Sequence, residues 1–313
     1  MSNNKEQKFV SAVVYIHNND DEVEDKLKII DSVFADTFER YEIICVNDAS
    51  DDSSVDKIKE FSTKLSGGEL TVIHLSFYHG LEAAMNAGVD LAIGDFVYEF
   101  DTLCAEFPEE MLINVYQHCL TGFDIVSAGP ERNPKLSSRI YYHLFNSAMH
   151  GKHSLEHDTF RIVTRRAVNR VHSMSKTIPF RKALYANCGL KIDCLHYNDD
   201  NSYSDVRSLR EKTGFAFNSL ILFTESAYKI AFTISIIMIL LTIGIAAYAL
   251  VIFFGGGNPI QGWTSTMLFL SIGFFGIFAL FGVVLKYLSV IVNLDFNKQK
   301  YFVESVEKIV NRR

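Results

Sequence analysis

Short polar side chains that accept hydrogen bonds gather at three places in this sequence, each directly after an apolar run. Asn18, Asn19 and Asp20 follow the first run, Asn47, Asp48, Ser50 and Asp51 the second, and Asp101 closes a later one. Such side chains suit a nucleotide base and ribose, and carboxylates suit a hard cation held against a diphosphate. The simpler reading is helix capping, because Asp and Ser are favoured at helix N-termini and residues 48–54 precede a helical pattern. Capping accounts for some of them. It leaves out Asp101, which ends a strand pattern with no helix until about Pro108.

The elements that would position these residues alternate in type. FVSAVVYI (9–16), YEIICVN (41–47), LTVIHL (70–75), DFVYEFD (95–101) and DIVSA (124–128) read as strands. Helical patterns cover about 21–34, the segment DDSSVDKIKEF, 80–92 and the stretch after Pro108. Strands separated by helices of this length imply right-handed crossovers, hence an α/β fold with a mostly parallel sheet and helices on both faces. Ligands of such sheets lie beyond the carboxyl ends of the strands. The loops at 17–21, 47–54, 76–80 and 101–106 therefore form one polar rim.

Several segments resemble the GT-A fold of the family 2 glycosyltransferases. VNDASDDSS (46–54) resembles their VxDxSxDxS element, and HGLEAAMNAGVDLAIGDFVYEFD (79–101) their NxGxxAAxxxGxxxAxGDxVxxxD run. EFPEEM (106–111) is similar to the DPPE element, and DTFRIVTRRAV (158–168) resembles DFRLMSRRVV. GWTSTMLFL, KYL and KQKYFVESV are similar to the second span, its GEYL exit and the RPxYxVEE tail of one subgroup, the polyprenyl-phosphate glycosyltransferases. The resemblance runs from about residue 10 to residue 306.

It implies inverting transfer of a sugar from a nucleotide-diphosphate sugar to polyprenyl phosphate, undecaprenyl phosphate in particular, in cell-envelope glycan modification. The implied donor-binding residues are Tyr15, Asn18, Asn47, Asp48, His79 and Gly80, with Asn47 and Asp48 reading the base. The implied catalytic residues are Asp101, Arg132, Arg139 and Arg161, where guanidinium groups fit phosphate oxygens in a bidentate way. The bland reading of each arginine is a solvated surface charge. Asp101 is the implied ligand of Mg²⁺ or Mn²⁺. The implied partners are a homo-oligomer, a tetramer in relatives, and a small membrane flippase.

Departures from the pattern bear on the metal. Relatives read DAD followed by LQ, whereas this chain reads DTLCA, with Leu103 and Ala105 in place of the second aspartate and the glutamine. His79 replaces an asparagine, Tyr15 a proline, and NDDNSYS (198–204) stands for an RxxGxSKY element. Either metal binds weakly through Asp101 and the donor phosphates, or the chain is a degenerate paralogue that binds nucleotide-sugar or lipid as a partner subunit. A two-span scaffold with a non-catalytic domain is the third reading, and the polarity of the rim speaks against it.

Composition adds a membrane. The chain has 313 residues, 48% of them hydrophobic, and a mean hydropathy of +0.11. Residues 229–254 and 263–285 are apolar and, beyond Lys229, uncharged. Each exceeds the roughly 20 residues that cross a hydrocarbon layer, which predicts two transmembrane helices joined by a short outer loop. Lys and Arg flank both runs while 255–262 carries no charge, so the positive-inside rule puts both termini in the cytoplasm of a multi-pass cell (inner or plasma) membrane protein. The expected organisation is a cytosolic domain over 1–204, an interfacial amphipathic helix over 205–228, the spans within 229–292 and a cytosolic tail over 293–313. An ordinary domain helix is the alternative for 205–228. No N-terminal targeting segment is expected, because the apolar stretch 9–16 is too short for a signal peptide.

A net charge of −7 excludes nucleic acid as a partner class. The five cysteines lack metal-ligand spacing and read as reduced packing residues. His150, His153 and His157 read as loop residues beside Gly151 rather than as a zinc site.

Overall fold

The computed structural model describes residues 5–131, 158–174, 180–198 and 301–309, together with scattered helical positions between 233 and 291. The chain divides into two units, one of Met1–Arg207 with Asn297–Arg313 and one of Ser208–Phe296.

In the first unit the apolar runs become strands β1 (Glu6–Ile16), β2 (Phe38–Asn47), β3 (Glu69–Leu75), β4 (Phe96–Phe100) and β5 (Ile125–Pro130). Helices α1 (Val23–Thr37), α2 (Ser54–Ser62), α3 (Leu81–Leu91) and α4 (Glu109–Leu120) connect them. Further along come β6 (Phe160–Thr164), α5 (Arg165–Met174), α6 (Arg181–Asn187), β7 (Ile192–Tyr197) and β8 (Val303–Ile309).

The eight strands form one sheet in the order β7-β5-β6-β4-β1-β2-β3-β8. The pairings β4-β1, β1-β2, β2-β3 and β5-β7 are parallel, while β6 lies antiparallel between β4 and β5, and β8 is antiparallel on β3. The sheet is therefore mixed, where strand–helix alternation implied one mostly parallel. β6 follows a segment outside the described residues, and β8 arrives from the far end of the chain.

Alternation along the strands decides which helix each face receives. Ala12, Val14 and Ile16 of β1 pack in one core with Leu27, Ile30 and Phe34 of α1 and Leu112 of α4, all fully buried. Burial of a side chain such as Phe34 contributes about 1.5–3 kcal/mol. Val13 points the other way, to α3, where a Cβ on Gly88 would come within 2.3 Å of it. The glycine lets α3 lie close on β1 and β2, which brings the start of α3 to the rim.

In the second unit every described position is helical. A Cβ on Gly276 would meet Met238 at 2.7 Å, so residues from both apolar runs touch there. Among the described residues no helix is long and apolar enough to cross a membrane. The expected spans lie largely, and the expected interfacial helix wholly, outside the described residues.

Candidate functional site

Asp48 follows the last residue of β2 and is fully buried. Its Oδ1 accepts the backbone N–H of His79 at 2.7 Å, and its Oδ2 accepts that of Gly80 at 2.8 Å and the Tyr15 hydroxyl at 3.2 Å. Gly80 holds φ +86°, a conformation that L side chains rarely adopt, and is the N-cap residue of α3. One carboxylate thus ties the ends of β1 and β2 to the loop before α3. Burial, followed by the Asp48 charge, pushes the Tyr15 hydroxyl far above its ordinary value, so Tyr15 stays protonated and donates to Asp48.

The loops after β1 and β2 are stitched together. Asn18 donates its N–H to Ser50 Oγ at 3.2 Å and accepts that of Asp51 at 2.9 Å. Asn19 N–H reaches Ser54 Oγ at 2.9 Å, and Asn47 Oδ1 accepts the Ser50 N–H at 3.0 Å. Asn18 and Ala49 both hold φ +52°. Asn tolerates this region, whereas for Ala it costs about 1–2 kcal/mol. That strain sits beside Asp48, where the hydrogen bonds fix the turn.

The segment just before β8 closes the other side. Ser76 donates its N–H to the Phe302 carbonyl at 3.0 Å, and the Phe302 N–H reaches His79 Nε2 at 3.1 Å. His79 Nδ1 bonds the Phe77 carbonyl, which fixes the tautomer with Nδ1 as donor and Nε2 as acceptor. Phe77 stacks on His79 and Tyr78 packs against His17, while Phe77, Tyr78 and Phe302 still expose 54%, 49% and 46% of their surfaces around this loop.

The second centre lies at the end of β4 on the α3 side. Glu99 and Asp101 share a face, being two apart on an extended strand. Arg161 of β6 stands directly opposite Glu99 in register. Its Nη1 donates to Glu99 at 2.7 Å, its Nη2 to Asp101 Oδ2 at 2.5 Å and its Nε to Asp158 at 3.0 Å. Arg181 of α6 donates from Nη2 to Asp101 Oδ1 at 2.7 Å and from Nε to Glu99 at 3.2 Å, while Glu82 of α3 accepts its backbone N–H at 3.0 Å. The Tyr185 hydroxyl donates to Glu99, and Lys182 pairs with Asp158. The two arginine side chains are 1% and 2% exposed.

Burial alone would raise the Asp101 carboxyl. Arg161 and Arg181 outweigh it and hold the group well below the usual carboxylate range. Asp158 is lowered in the same way, with Arg161 and Lys182 outweighing burial. Glu82 moves up, through burial first and the Asp101 charge second. Among the described residues, four carboxylates (Glu82, Glu99, Asp101, Asp158) thus meet three cations (Arg161, Arg181, Lys182).

Tyr15, Asn18, Asn47, Asp48, His79 and Gly80 all come together at the rim, and Asp101 joins Arg161. Arg161 is no solvated surface charge: it is a buried cation shared by three carboxylates. Arg132, Arg139 and the three histidines lie outside the described residues. Sequence reasoning missed Glu82, Glu99, Asp158, Arg181 and Tyr185. Glu99 carried a signal, a charged residue inside the otherwise apolar FVYEF strand. Arg181 and Tyr185 lie far from the motifs and carried none.

The expected Mg²⁺ or Mn²⁺ can be tested against these residues. Both Asp101 oxygens accept from guanidinium groups, and Leu103 and Ala105 are apolar and 2% exposed. Among the described residues, no group of three His, Cys, Asp or Glu could hold a metal ion. As arranged, the residues at Asp101 do not fit a divalent cation.

Residues 11–184 match the model of glycosyl transferase family 2, a span that holds Tyr15, Asp48, His79 and Gly80 of the rim and Glu99, Asp101, Asp158, Arg161 and Arg181 of the cluster. Over its length the chain is similar to the uncharacterized glycosyltransferase YkcC of Bacillus subtilis, 23% identical over 312 residues that cover 97% of this chain and 95% of that protein. It is also similar to the undecaprenyl-phosphate 4-deoxy-4-formamido-L-arabinose transferase of Aeromonas hydrophila, 28% identical over 124 residues covering 40% of this chain and 37% of that one. Among solved structures, the mannosyltransferase PcManGT of Pyrobaculum calidifontis with GDP-Man and Mn²⁺ aligns at 15% identity and a TM-score of 0.44, covering 94% of this chain and 89% of that one. With more than half of its length matched, the chain belongs to glycosyl transferase family 2 and is a glycosyltransferase.

Proposed function

We propose that this chain transfers a sugar, with inversion, from a nucleotide-diphosphate sugar to a polyprenyl phosphate such as undecaprenyl phosphate, at the cytosolic face of the cell membrane. The observation that carries the donor half is the rim, where Asp48 gathers the ends of three strands beneath exposed Phe77, Tyr78 and Phe302. The name of the A. hydrophila relative supports the acceptor.

The chemistry asks little of the protein beyond placement. A phosphate monoester is anionic at neutral pH, so its oxygen attacks the anomeric carbon without a strong general base. The new bond forms on the face opposite the leaving group, the anomeric carbon–oxygen bond breaks, and the nucleoside diphosphate departs with that electron pair. The site supplies alignment and compensation of the leaving charge. Arg132 and Arg139 are the candidates for the acceptor phosphate.

Two observations support the membrane. Leu270, Ile277, Phe281, Val284, Leu288 and Ile291 repeat at helical spacing and expose 42–61% of their surfaces. β8 pairs with β3, so the chain leaves and rejoins one body around Ser208–Phe296, which agrees with an even number of crossings.

The buried Arg161–Asp101–Arg181 arrangement favours a second reading, a paralogue that binds nucleotide-sugar without turnover. Radiolabelled transfer to undecaprenyl phosphate, screened over UDP- and GDP-sugars, separates the two: labelled lipid supports the enzyme, and nucleotide binding with no labelled lipid rejects it. Topology is tested by cysteine placement. Asn258→Cys should react with an impermeant thiol reagent in intact cells and Asn311→Cys should not, and the reverse pattern would reject a cytosolic site.

A further inference from the structure

We propose that Arg161 and Arg181 fill the place of a divalent cation at Asp101, so that this glycosyltransferase engages its donor without metal. The proposal rests on the reading of the rim as a nucleotide-diphosphate site and deepens it by assigning the cofactor requirement.

Occupancy is the first argument. Each Asp101 oxygen already accepts a charge-assisted hydrogen bond, at 2.5 and 2.7 Å, from a separate guanidinium. A dication bound there would displace one or both and leave a buried arginine short of a partner. The two motif positions after it, Leu103 and Ala105, are apolar and buried and offer no oxygen ligand.

Rigidity is the second. Arg161 is held in register opposite Glu99 in the sheet, and the Arg181 backbone is bound to Glu82, two residues beyond the Gly80 that caps α3. Arg161 sits in the sheet, and Arg181 opens α6 with its backbone tied to α3, so both guanidinium groups belong to the scaffold. Charge is the third. Four carboxylates facing two buried arginines and the part-exposed Lys182 leave little for a dication to neutralise, where a metal site would present uncompensated acid. Asp101 is then a positioning residue for the arginine pair, and compensation of the donor diphosphate falls to basic side chains elsewhere.

The sign of one stability change tests this. In a metal site kept free of metal, replacing a carboxylate relieves repulsion, so the apo protein keeps or gains thermal stability. In a guanidinium latch the same change unpairs two buried cations. The full chain in detergent should therefore lose Tm in Asp101→Asn by the same amount in EDTA and in Mn²⁺, while the wild type shows no Mn²⁺-dependent rise and no bound Mn²⁺ by electron paramagnetic resonance. A second arm measures UDP and GDP affinity of the wild type by calorimetry, where values in EDTA and in Mn²⁺ should agree within about twofold. Stoichiometric Mn²⁺ binding, an Asp101→Asn variant as stable as wild type in EDTA, or a gain above about tenfold in nucleotide affinity on adding Mn²⁺ would overturn the proposal. Failure of every nucleotide to bind would instead count against the donor reading of the rim, and the Tm and resonance arms would still decide this one.

Discussion

Asp48 and Asp101 follow the carboxyl ends of β2 and β4, the two strands that flank β1, yet they are held in opposite ways. Asp48 accepts from neutral donors, two backbone N–H groups and a phenol. Asp101 accepts from two guanidinium groups. Neutral donors shape the backbone around a carboxylate without cancelling its charge, whereas guanidinium groups cancel the charge and lock the neighbouring elements together. The first arrangement builds a rim that can face a ligand, and the second a closed brace behind it. α3 joins them, since Gly80 binds Asp48 and Glu82 binds the Arg181 backbone.

The largest effect should come from breaking the brace. Arg181→Met leaves Glu99 and Asp101 buried with one cation fewer, a loss of about 3–5 kcal/mol measurable by denaturant unfolding. Next comes the rim itself. Asp48→Ala leaves the His79 and Gly80 N–H groups without acceptors, at about 1–3 kcal/mol for each that stays buried, and Asp48→Asn should recover part of this because one oxygen remains. Breaking the contact with the C-terminal segment should cost less. Phe302→Pro removes the N–H that reaches His79 at a position just before β8 where proline is tolerated, so a loss of about 0.5–1.5 kcal/mol is expected, with faster hydrogen exchange at residues 76–80.

The pH dependence follows from the brace too. Asp101 and Asp158 have folded values below the unfolded one of about 3.9, so their stabilisation is complete above that value and fades as pH falls through the folded ones. Stability should stay flat near neutrality and drop in acid, and Asp158→Asn should reduce the acid-side slope.

The same contrast explains what the sequence disclosed. Strands β1 to β5, helices α1 to α4 and the rim residues Asn18, Asn47 and Asp48 were legible because apolar periodicity and short polar loops are local signals, whereas Tyr15, His79 and Gly80 entered only through the family resemblance. β8 was not read, because the apolar residues of VESVEKI fall at every third position rather than every second, and its partner β3 lies more than two hundred residues earlier. The brace was half legible. Asp101 and Arg161 stood in recognisable motifs, but the groups that neutralise or join them, Glu99, Arg181 and Tyr185, converge from β4 and α6 only in the folded chain. Leu103 and Ala105 signalled a missing metal ligand and gave no hint of what replaces it.

The most direct test of the donor site is calorimetric binding of UDP and GDP to the full chain and to Asp48→Ala. If Asp48 shapes the rim that receives the base, a folded Asp48→Ala variant should bind its preferred nucleotide roughly ten- to a hundredfold more weakly, the equivalent of losing a charged hydrogen bond. Equal affinity in the two folded proteins would contradict the account.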